Sequence, residues 1–342
     1  MLEKCPINNC SKCKGTEFVG EERTFDTWMD SSVSPLFVSK YNKDQEFFNK
    51  VYPTSIRPQA KDIVRTWLYY TLLRCEQLTG KKPWSEAWVM GYGLDEKGMK
   101  MSKSKGNAID PLPVIEQFGA DTFRFWSASE INHGYDFRCN EQKIESTKKF
   151  LSKLWNVSRF LSSFPVIESG IPTETDKWIL AELDNLIKEC KKGYDEYNFF
   201  IPAIAIREFT WNLFAAHYIE MVKARAYGIG FSDEERDGAI YTLHKTLSTI
   251  LKLLAPITPF ITEHLWKTLY SSESIHKQKQ VTSESIENNN KITKEITEFN
   301  SKVWNGKKAQ NLSLKDSIKI TIPESLEHFK KDLKSMHNLD DS

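Results

Sequence analysis

Residues 97–107 read Lys-Gly-Met-Lys-Met-Ser-Lys-Ser-Lys-Gly-Asn, a short polar run with four lysines, two serines and two glycines. The lysines supply point charges and the serines supply hydroxyl donors, while the glycines let the backbone come close to a ligand. The run therefore predicts a phosphate-binding loop. On composition alone, an exposed basic loop without a ligand is the alternative.

The segment before the loop predicts one strand and one helix. A short strand is indicated over residues 50–57, although Pro53 limits it to a sheet edge or breaks it. A helix is predicted over residues 63–78, because apolar residues recur there at helical spacing. Asp62 can cap its start, and Gly80 stands where it should stop.

A second strand and further helices surround the loop. Residues 87–92 predict a strand that leads into it. After the loop, Asp110 followed by Pro111 predicts a helix start, and Gly119 should end that short helix before another begins. Strand, helix, strand, phosphate loop and helix in this order are typical of an open nucleotide-binding sheet. We therefore expect an α/β, partial Rossmann-like domain.

From about residue 140 onward the pattern changes to long amphipathic helices. Apolar residues recur at heptad-like spacing over 144–161, 176–194, 202–227 and 233–270. Pro256 and Pro259 should split the last of these. We expect an all-α helical bundle of four or five helices. Residues 271–301 are polar and predict a solvated connector, and residues 302–342 predict a weakly packed C-terminal tail.

Composition and charge restrict the class of protein. The 342 residues are 40% hydrophobic, which is enough to bury the cores of two domains. No run of eighteen apolar residues occurs and no apolar signal region follows Met1, so the sequence predicts a cytoplasmic protein without a membrane span. The net charge is only +1, so contact with nucleic acid would have to come from local basic patches.

Three of the six cysteines, Cys5, Cys10 and Cys13, lie within the first thirteen residues. The Cys10-x-x-Cys13 spacing is that of a zinc knuckle, and this uneven distribution suits reduced, metal-binding thiols better than a disulfide framework. A tetrahedral site needs four ligands, and no histidine precedes His133. Two hypotheses remain: Cys10 and Cys13, joined by Cys5, hold Zn²⁺ with a ligand from elsewhere, or they are free thiols.

The five residues from Lys100 to Ser104 match, letter for letter, the KMSKS signature of class I aminoacyl-tRNA synthetases, and the following Gly106-Asn107 is also typical of that family. Over about residues 5–266 the chain resembles the valyl branch of this family, with the isoleucyl branch next. The further segments that carry the resemblance are residues 26–32, 57–67, 118–125, 153–160 and 254–260.

The resemblance implies that the chain is the C-terminal part of such an enzyme. The implied order is a zinc-knuckle-like remnant of an insertion (1–23), the C-terminal half of the catalytic domain (24–139) and an anticodon-binding helical bundle (140–270). The His-x-Gly-His signature of the other catalytic half occurs nowhere in the sequence, and no editing insertion is found. A missing N-terminal half is therefore an expected partner, and this chain alone is expected to be inactive.

The implied activity joins valine to tRNA(Val) after ATP has activated the amino acid. Negative charge grows on the departing pyrophosphate, and positioned cations stabilise that transition state. By resemblance, Lys100 and Lys103 are the catalytic residues, and Mg²⁺ accompanies ATP. Glycines before the loop would let the backbone approach adenine or ribose. The expected ATP-binding residues are Gly91, Gly93, Lys100, Met101, Ser102, Lys103 and Ser104.

Four residues ahead of the loop are implied to contact the aminoacyl-adenylate and to form a valine-sized pocket: Trp28, Gln59, Asp62 and Trp67. Gln59 stands where the family often has glutamate. The alternative for both tryptophans is a place in the core, where such side chains usually pack. Two alternative functions also remain open, an isoleucine–tRNA ligase fragment and a non-catalytic tRNA-binding module.

The expected tRNA-binding residues lie on two predicted helices. Lys148, Lys149, Lys153 and Arg159 on the first bundle helix could meet the phosphate backbone. Further along the chain, a stripe at helical spacing contains Arg207, Trp211, Phe214, Tyr218, Met221 and Arg225. Either this stripe is packed in the bundle, or Arg207, Trp211 and Arg225 face unpaired anticodon bases.

Overall fold

The structure, a computed structural model, describes residues 5, 7–20, 22–24, 26–286 and 290–340 of the chain. It contains two compact units, the first ending at Val89 and the second beginning at Met90. Each unit has a hydrophobic core of its own. The domain boundary predicted near residue 140 therefore lies inside the second unit.

The first unit contains the predicted order of strand, helix and strand. Its elements are α1 (Thr27–Ser31), α2 (Ser34–Val38), α3 (Gln45–Val51), β1 (Thr54–Ala60), α4 (Tyr69–Thr79) and β2 (Trp84–Met90). β1 and β2 form a two-stranded sheet. Between β1 and α4 the chain forms a 3-10 turn, Lys61–Ile63, and a π-helix, Val64–Leu68. The helix predicted over 63–78 is thus only partly an α-helix.

The first strand begins after Pro53, later than the sequence predicts. Asp44 caps α3 by accepting a hydrogen bond from the Phe47 amide at 3.0 Å, and the helix extends to Val51. Pro53 has no amide hydrogen to donate into a sheet. Pairing therefore starts at Thr54, whose amide donates to a backbone carbonyl just before β2 at 3.1 Å.

Helix α4 ends where the sequence predicts. Gly80 has a φ of +68°, and its amide donates to the Glu76 carbonyl at 2.8 Å. A glycine takes this left-handed conformation at little cost, which is why it ends helices. The core of the unit joins α2, α3 and α4 through the buried residues Leu36, Phe48, Tyr52 and Cys75.

The second unit begins with the strands that carry the lysine loop. Its first elements are β3 (Gly93–Leu94), α5 (Pro111–Phe118), α6 (Ala120–Glu130) and β4 (Phe137–Arg138). β3 and β4 pair in parallel, with Gly93 opposite Phe137. The predicted start of α5 is confirmed, because Asp110 accepts a hydrogen bond from the Leu112 amide at 3.0 Å and Pro111 occupies the first helical position.

The rest of the second unit is a helical bundle. Its elements are α7 (Glu141–Leu161), α8 (Glu174–Asp195), α9 (Phe200–Glu208), a π-helix (Phe209–Tyr218), α10 (Ile219–Ala226), α11 (Asp233–Leu254), α12 (Pro259–Leu269), α13 (Asn290–Ala309) and α14 (Lys330–His337), with 3-10 turns at Ile275–Lys277 and Glu324–Phe329. One continuous apolar core contains residues of every one of these helices. Within the described ranges, no helix is long and apolar enough to cross a bilayer.

Pro256 and Pro259 separate α11 from α12, as predicted, because neither can donate the backbone hydrogen bond of a continuous helix. At its start, α11 has a capping box. The Ser232 hydroxyl accepts from the Glu235 amide at 3.2 Å, and the Glu235 carboxylate accepts from the Ser232 amide at 2.8 Å. Local sequence signals therefore set both ends of this helix.

The segment between α12 and α13 is not the solvated connector that the sequence predicts. Asp184 of α8 is buried, and its carboxylate accepts hydrogen bonds from the Ser283 hydroxyl at 2.9 Å and from the amides of Glu284 at 2.6 Å and Ile286 at 3.1 Å. Burial opposes ionisation of Asp184, but Lys188 and these donors outweigh it and lower the pKa of the carboxyl. The polar residues of this segment bind a buried carboxylate.

Helices α13 and α14 pack into the core, whereas the sequence predicts a polar connector and a weakly packed tail. Ile296, Phe299 and Val303 of α13 are at most 4% exposed, and Leu333 of α14 is fully buried. The three apolar residues of α13 recur at intervals of three and four, which places them on one face of the helix. Most other residues of α13 are polar, so the composition of the segment does not reveal this apolar face.

Candidate functional site

The lysine loop is a hairpin that extends from β3. The Met101 amide donates to the Gly93 carbonyl at 3.0 Å, and the Asp95 amide donates to the Met99 carbonyl at 2.8 Å. Gly98 lies in the turn between the two arms, with a φ of +81°. Such a turn favours glycine because other residues are strained there. Backbone hydrogen bonds within the chain therefore define the shape of the loop.

The signature residues form a second turn at the end of the hairpin. The Ser102 hydroxyl accepts from the Lys105 amide at 3.3 Å and lies 3.2 Å from the Ser104 hydroxyl. The turn closes at Gly106, which has a φ of +67° and donates its amide to the Lys103 carbonyl at 3.1 Å. Its three central residues, from Lys103 to Lys105, are exposed.

The two lysines predicted to be catalytic differ in their surroundings. The Lys100 Nζ lies 4.1 Å from the centroid of the Tyr92 ring, a cation–π contact that the sequence analysis missed. Lys103 is exposed at the start of the turn that Ser102 caps. Lys100 therefore packs against a neighbouring ring, whereas Lys103 is exposed to solvent.

Gly91 is required by packing against a neighbouring backbone, and Gly93 lies against a side chain. A Cβ atom on Gly91 would lie 1.9 Å from the Tyr135 carbonyl oxygen, and one on Gly93 would lie 2.7 Å from the Met101 side chain. The neighbouring Tyr92 amide donates to the Asp136 carboxylate at 2.7 Å. These glycines hold β3 against the chain before β4, and an approach to adenine or ribose remains a prediction.

Trp67, expected at the valine pocket, is buried in the first unit at 4% exposure. Its ring stacks on Trp84 with centroids 5.8 Å apart, and its Nε1 donates to the Ser31 carbonyl at 3.2 Å. That bond links the π-helix to the segment of Trp28, which is itself partly exposed. Trp67 has the surroundings of a core residue, and its role in a pocket remains a prediction.

Gln59 and Asp62 lie on either side of the end of β1. Gln59 is buried and donates through Nε2 to the Ala60 carbonyl at 2.9 Å, while its Oε1 accepts no hydrogen bond from the residues described. Asp62 is exposed in the 3-10 turn that follows. Arg57, which the sequence analysis missed, lies with its guanidinium 3.8 Å from the Trp67 ring centroid, and burial lowers its pKa.

Cys10 and Cys13 form a knuckle-shaped turn. The Cys10 amide donates to the Gly15 carbonyl at 2.9 Å, and the Lys14 amide donates to the Cys10 carbonyl at 3.0 Å. Hydrogen bonds from the Cys13 and Lys12 amides lower the pKa of the Cys10 thiol, which favours the thiolate that binds metals. Among the described residues, no three side chains of the metal-binding types come together, so Cys5 does not complete a triad.

The structure brings together the lysines of α7 and the tryptophan of the π-helix, 58 or more positions later in the chain. An open cavity of about 330 Å³ is lined by Glu145, Lys148, Lys149, Ser152, Lys153, Asn156 and Trp211. We call these seven residues the basic groove. It combines three cations with an indole that is 36% exposed. Such a combination can bind phosphates and stack on a base.

Two of the expected arginines, one exposed and one half-buried, do not line the basic groove. Arg159 is exposed near the end of α7. Arg207 is 39% exposed and pairs with Glu208 at 3.4 Å. Trp155 of α7 and His264 of α12 form a stacked pair that no sequence pattern predicts, with ring centroids 5.5 Å apart.

Arg225 is not a surface residue, which corrects the prediction that it binds tRNA. It is 1% exposed, and its guanidinium donates to Asp176 at 2.7 and 2.8 Å and to Asp332 at 3.1 Å. Tyr218 donates its hydroxyl to the same Asp176 at 2.6 Å. Phe214 is also fully buried. The residues of the stripe that follow Trp211 are therefore packed inside the bundle and do not face solvent.

Two family models match the chain in the order of its architecture. Residues 2–139 match "tRNA synthetases class I (I, L, M and V)", and residues 176–322 match "Anticodon-binding domain of tRNA ligase". Two solved structures share the fold. A LeuRS–tRNA–LeuAMS ternary complex from Agrobacterium radiobacter is 22% identical with a TM-score of 0.62, covering 81% of this chain and 35% of its own. The methionyl-tRNA synthetase of Mycobacterium tuberculosis, in complex with methionyl-adenylate, is 21% identical with a TM-score of 0.60. That match covers 70% of this chain and 49% of the methionyl-tRNA synthetase chain.

These matches define a class I synthetase architecture, a catalytic-type domain followed by a helical anticodon-binding domain. The chain belongs to the class I tRNA synthetases, as its KMSKS-type loop predicts. Its relatives include the valine–tRNA ligases of Aeropyrum pernix, 41% identical over 98% of this chain, and of Pyrobaculum aerophilum, 43% identical over 96%.

The chain spans less than half the length of these relatives. It covers 42% of the ligases from both A. pernix and P. aerophilum, and 43% of the Nanoarchaeum equitans enzyme, which is 40% identical over 96% of this chain. All three are valine enzymes, so the isoleucine alternative is not favoured. The alternative of a non-catalytic tRNA-binding module is not favoured either, because residues 2–139 match the class I synthetase model.

Proposed function

We propose that this chain is the C-terminal part of a valine–tRNA ligase, which acts in the cytoplasm on valine, ATP and tRNA(Val). The observation that carries the proposal is the folded hairpin of residues 97–107, which presents exposed Lys103 on a capped turn. A module that only bound tRNA would have no use for this arrangement. The similarity of the chain to valine–tRNA ligases supports the choice of amino acid.

The loop would act on charge that develops during amino-acid activation. When the valine carboxylate attacks the α-phosphate of ATP, the bond to pyrophosphate breaks and negative charge moves onto the leaving group. Lys103 would meet that charge directly, and Lys100 would support it from its position against Tyr92. Because the charge is greatest in the transition state, both lysines should raise the rate more than they tighten ATP binding.

Magnesium would enter this site with ATP. Among the described residues, no three acidic, histidine or cysteine side chains form a metal-binding group. Magnesium needs no such group here, because it is commonly held by ATP phosphate oxygens, waters and one or two carboxylates. Zinc has partial support, since Cys10 and Cys13 form a knuckle with an acidified thiol. Two further ligands would have to come from outside this group.

The proposed partner is the half of the catalytic domain that carries His-x-Gly-His. A two-stranded sheet is marginally stable alone, and β1–β2 is such a sheet in the first unit. Helix α4 exposes Tyr69, Leu72 and Leu73 at 55%, 38% and 42% on one face. Apolar exposure next to a minimal sheet supports completion of this unit by another polypeptide segment.

The proposal is tested by complementation. The chain is mixed with the N-terminal half of a valine–tRNA ligase, and valine-dependent ATP–pyrophosphate exchange is measured. We expect exchange only in the mixture, and a loss of kcat of about 100-fold or more for Lys103→Ala, because an electrostatic contact to the transition state is removed. Lys177→Ala is the control, since Lys177 is an exposed bundle lysine paired with Glu174. Faster exchange with isoleucine, or none with a soluble complex, would contradict the proposal.

A further inference from the structure

The carboxylate of Asp95 contacts both ends of the lysine loop. Its Oδ1 accepts hydrogen bonds from the amides of Lys97 at 3.0 Å and Met99 at 2.8 Å, which closes the first turn. Its Oδ2 accepts from the Nδ2 of Asn107 at 2.8 Å. Twelve positions separate the two side chains in the chain, so this bond joins the start of the hairpin to its end.

The Asn107 carboxamide extends this contact to the signature residues. Its Oδ1 accepts from the Ser102 amide at 3.0 Å, and its Nδ2 also lies 3.3 Å from the Lys100 carbonyl. Only one orientation of the carboxamide satisfies these partners, because Ser102 offers a donor and Asp95 offers an acceptor. Asn107 therefore connects the carboxylate to the backbone of the two residues on either side of Met101.

The chemistry of the pair suits a permanent contact. The hydrogen bond from Asn107 and the amide of Met99 are the main causes that lower the pKa of Asp95, so the carboxylate stays ionised at neutral pH. Its negative charge lies in a loop with four lysines. A backbone bond from the Met101 amide to the Gly93 carbonyl at 3.0 Å also ties the signature to β3.

We propose that Asp95 and Asn107 form a latch that positions the lysine loop for amino-acid activation. The inference rests on the function proposed above. Both are positioning residues, which act through the backbone of Lys100 and Ser102. The latch fixes where Lys103 stands relative to β3, and a small displacement of a positioned charge costs much of its effect on the transition state.

An exchange of donor and acceptor tests the latch. Asn107→Asp places a second carboxylate against Asp95, and Asp95→Asn places an amide donor against the donor of Asn107. Each single variant should open the latch. The double variant, Asp95→Asn with Asn107→Asp, restores one donor facing one acceptor and keeps acceptors for the Met99 and Ser102 amides. A rescue by the double variant is a result that loss of general stability cannot give.

The first measurement uses this chain alone. Hydrogen–deuterium exchange at the Met99 and Ser102 amides should rise about tenfold or more in both single variants, because the opened latch moves the accepting side chains away from them, and should return towards the original rate in the double variant. Asp44→Asn is the control, because it makes the same change at the cap of α3 in the first unit. It should leave exchange in the loop unchanged.

The second measurement uses the complemented enzyme. Each single variant should lower kcat of ATP–pyrophosphate exchange about tenfold to a hundredfold, with the KM for valine unchanged, and the double variant should recover most of the loss. Normal amide exchange or normal kcat in the single variants would overturn the latch, as would a double variant no better than either. If the unaltered mixture lacks activity, the proposed function fails, while amide exchange still decides whether the latch exists.

Discussion

Buried polar residues join the C-terminal segment to the earlier bundle helices. Arg225 connects Asp176 with Asp332, as described above. Asn300 makes a second connection, because its Nδ2 lies 3.0 Å from His217 Nδ1 and its Oδ1 lies 2.8 Å from His337 Nε2. The amide orientation makes Nδ1 of His217 an acceptor and Nε2 of His337 a donor, so both rings can stay neutral.

The neutral histidines predict a loss of stability in mild acid. Burial, followed by the charges of Lys307 and His217, lowers the pKa of His337 from 6.5 to about 4, and burial also lowers the pKa of His217. Above pH 6.5 neither state binds the proton. Between pH 6.5 and about 4 the unfolded chain binds a proton that the folded chain does not, so the free energy of unfolding falls as pH falls.

Urea unfolding at several pH values checks this prediction. The loss of unfolding free energy that is due to His337 should reach on the order of 3 kcal/mol near pH 4. His337→Gln should therefore lose less stability than the unaltered chain between pH 6.5 and 4, whatever its stability at pH 7. His276→Gln, at an exposed position, is the control and should keep the original pH dependence. An unchanged pH dependence for His337→Gln would contradict a neutral buried ring.

The basic groove arises from two elements, α7 and the π-helix Phe209–Tyr218. Helix α7 presents Lys148, Lys149 and Lys153, and the π-helix presents Trp211. A π-helix has i to i+5 hydrogen bonds and therefore more residues per turn than an α-helix. Residues spaced at 3.6 per turn consequently do not stay on one face of it. This explains why Trp211 is 36% exposed while Phe214 and Tyr218 of the same predicted stripe are fully buried.

The basic groove predicts separate stacking and electrostatic effects on tRNA binding. Trp211→Ala should weaken tRNA(Val) binding about 5- to 150-fold, which corresponds to one stacked base. Combined alanine substitution of Lys148, Lys149 and Lys153 should reduce the slope of log K against log salt by about 2 to 3, since up to three phosphate contacts are lost. Filter binding over a range of salt concentrations measures both.

The control for these variants replaces three other exposed lysines of the bundle, Lys177, Lys191 and Lys223, each of which has an acidic partner on its own helix. Their combined substitution removes the same net charge away from the basic groove. An equal loss of affinity and slope in the control would mean that overall charge, and not the basic groove, binds tRNA.

At the scale of the whole molecule, the chain combines a small first unit with a larger second unit that contains both the lysine loop and the bundle. The bundle depends on its last segment. α13 and α14 contribute core residues, and α14 also supplies Asp332, which faces the buried Arg225. A chain lacking this segment would leave apolar surface exposed and an ion network without one carboxylate.

Truncation after Ile286 should therefore abolish cooperative unfolding of the bundle. Seven buried apolar residues would be lost, each contributing about 1.5–3 kcal/mol: Ile296, Phe299, Val303, Ile318, Leu326, Phe329 and Leu333. Their sum is comparable to the whole stability of a typical domain, about 5–15 kcal/mol. Circular dichroism during thermal unfolding measures the change. Deletion of residues 1–23 is the control and should leave the transition unchanged, because residues 7–20 are exposed or half-buried. A truncated chain that still melts cooperatively would contradict the prediction.

Features that depend on near neighbours in the chain can be predicted from the sequence. The cap at Asp110, the helix end at Gly80 and the break at Pro256 follow from backbone chemistry within a few residues, and the KMSKS-type signature is a contiguous run. Which polar residues are buried, and which distant residues meet, became known from the three-dimensional structure. Arg225 finds its carboxylates 49 and 107 positions away, and burial of a charge depends on such partners, which composition and periodicity do not contain.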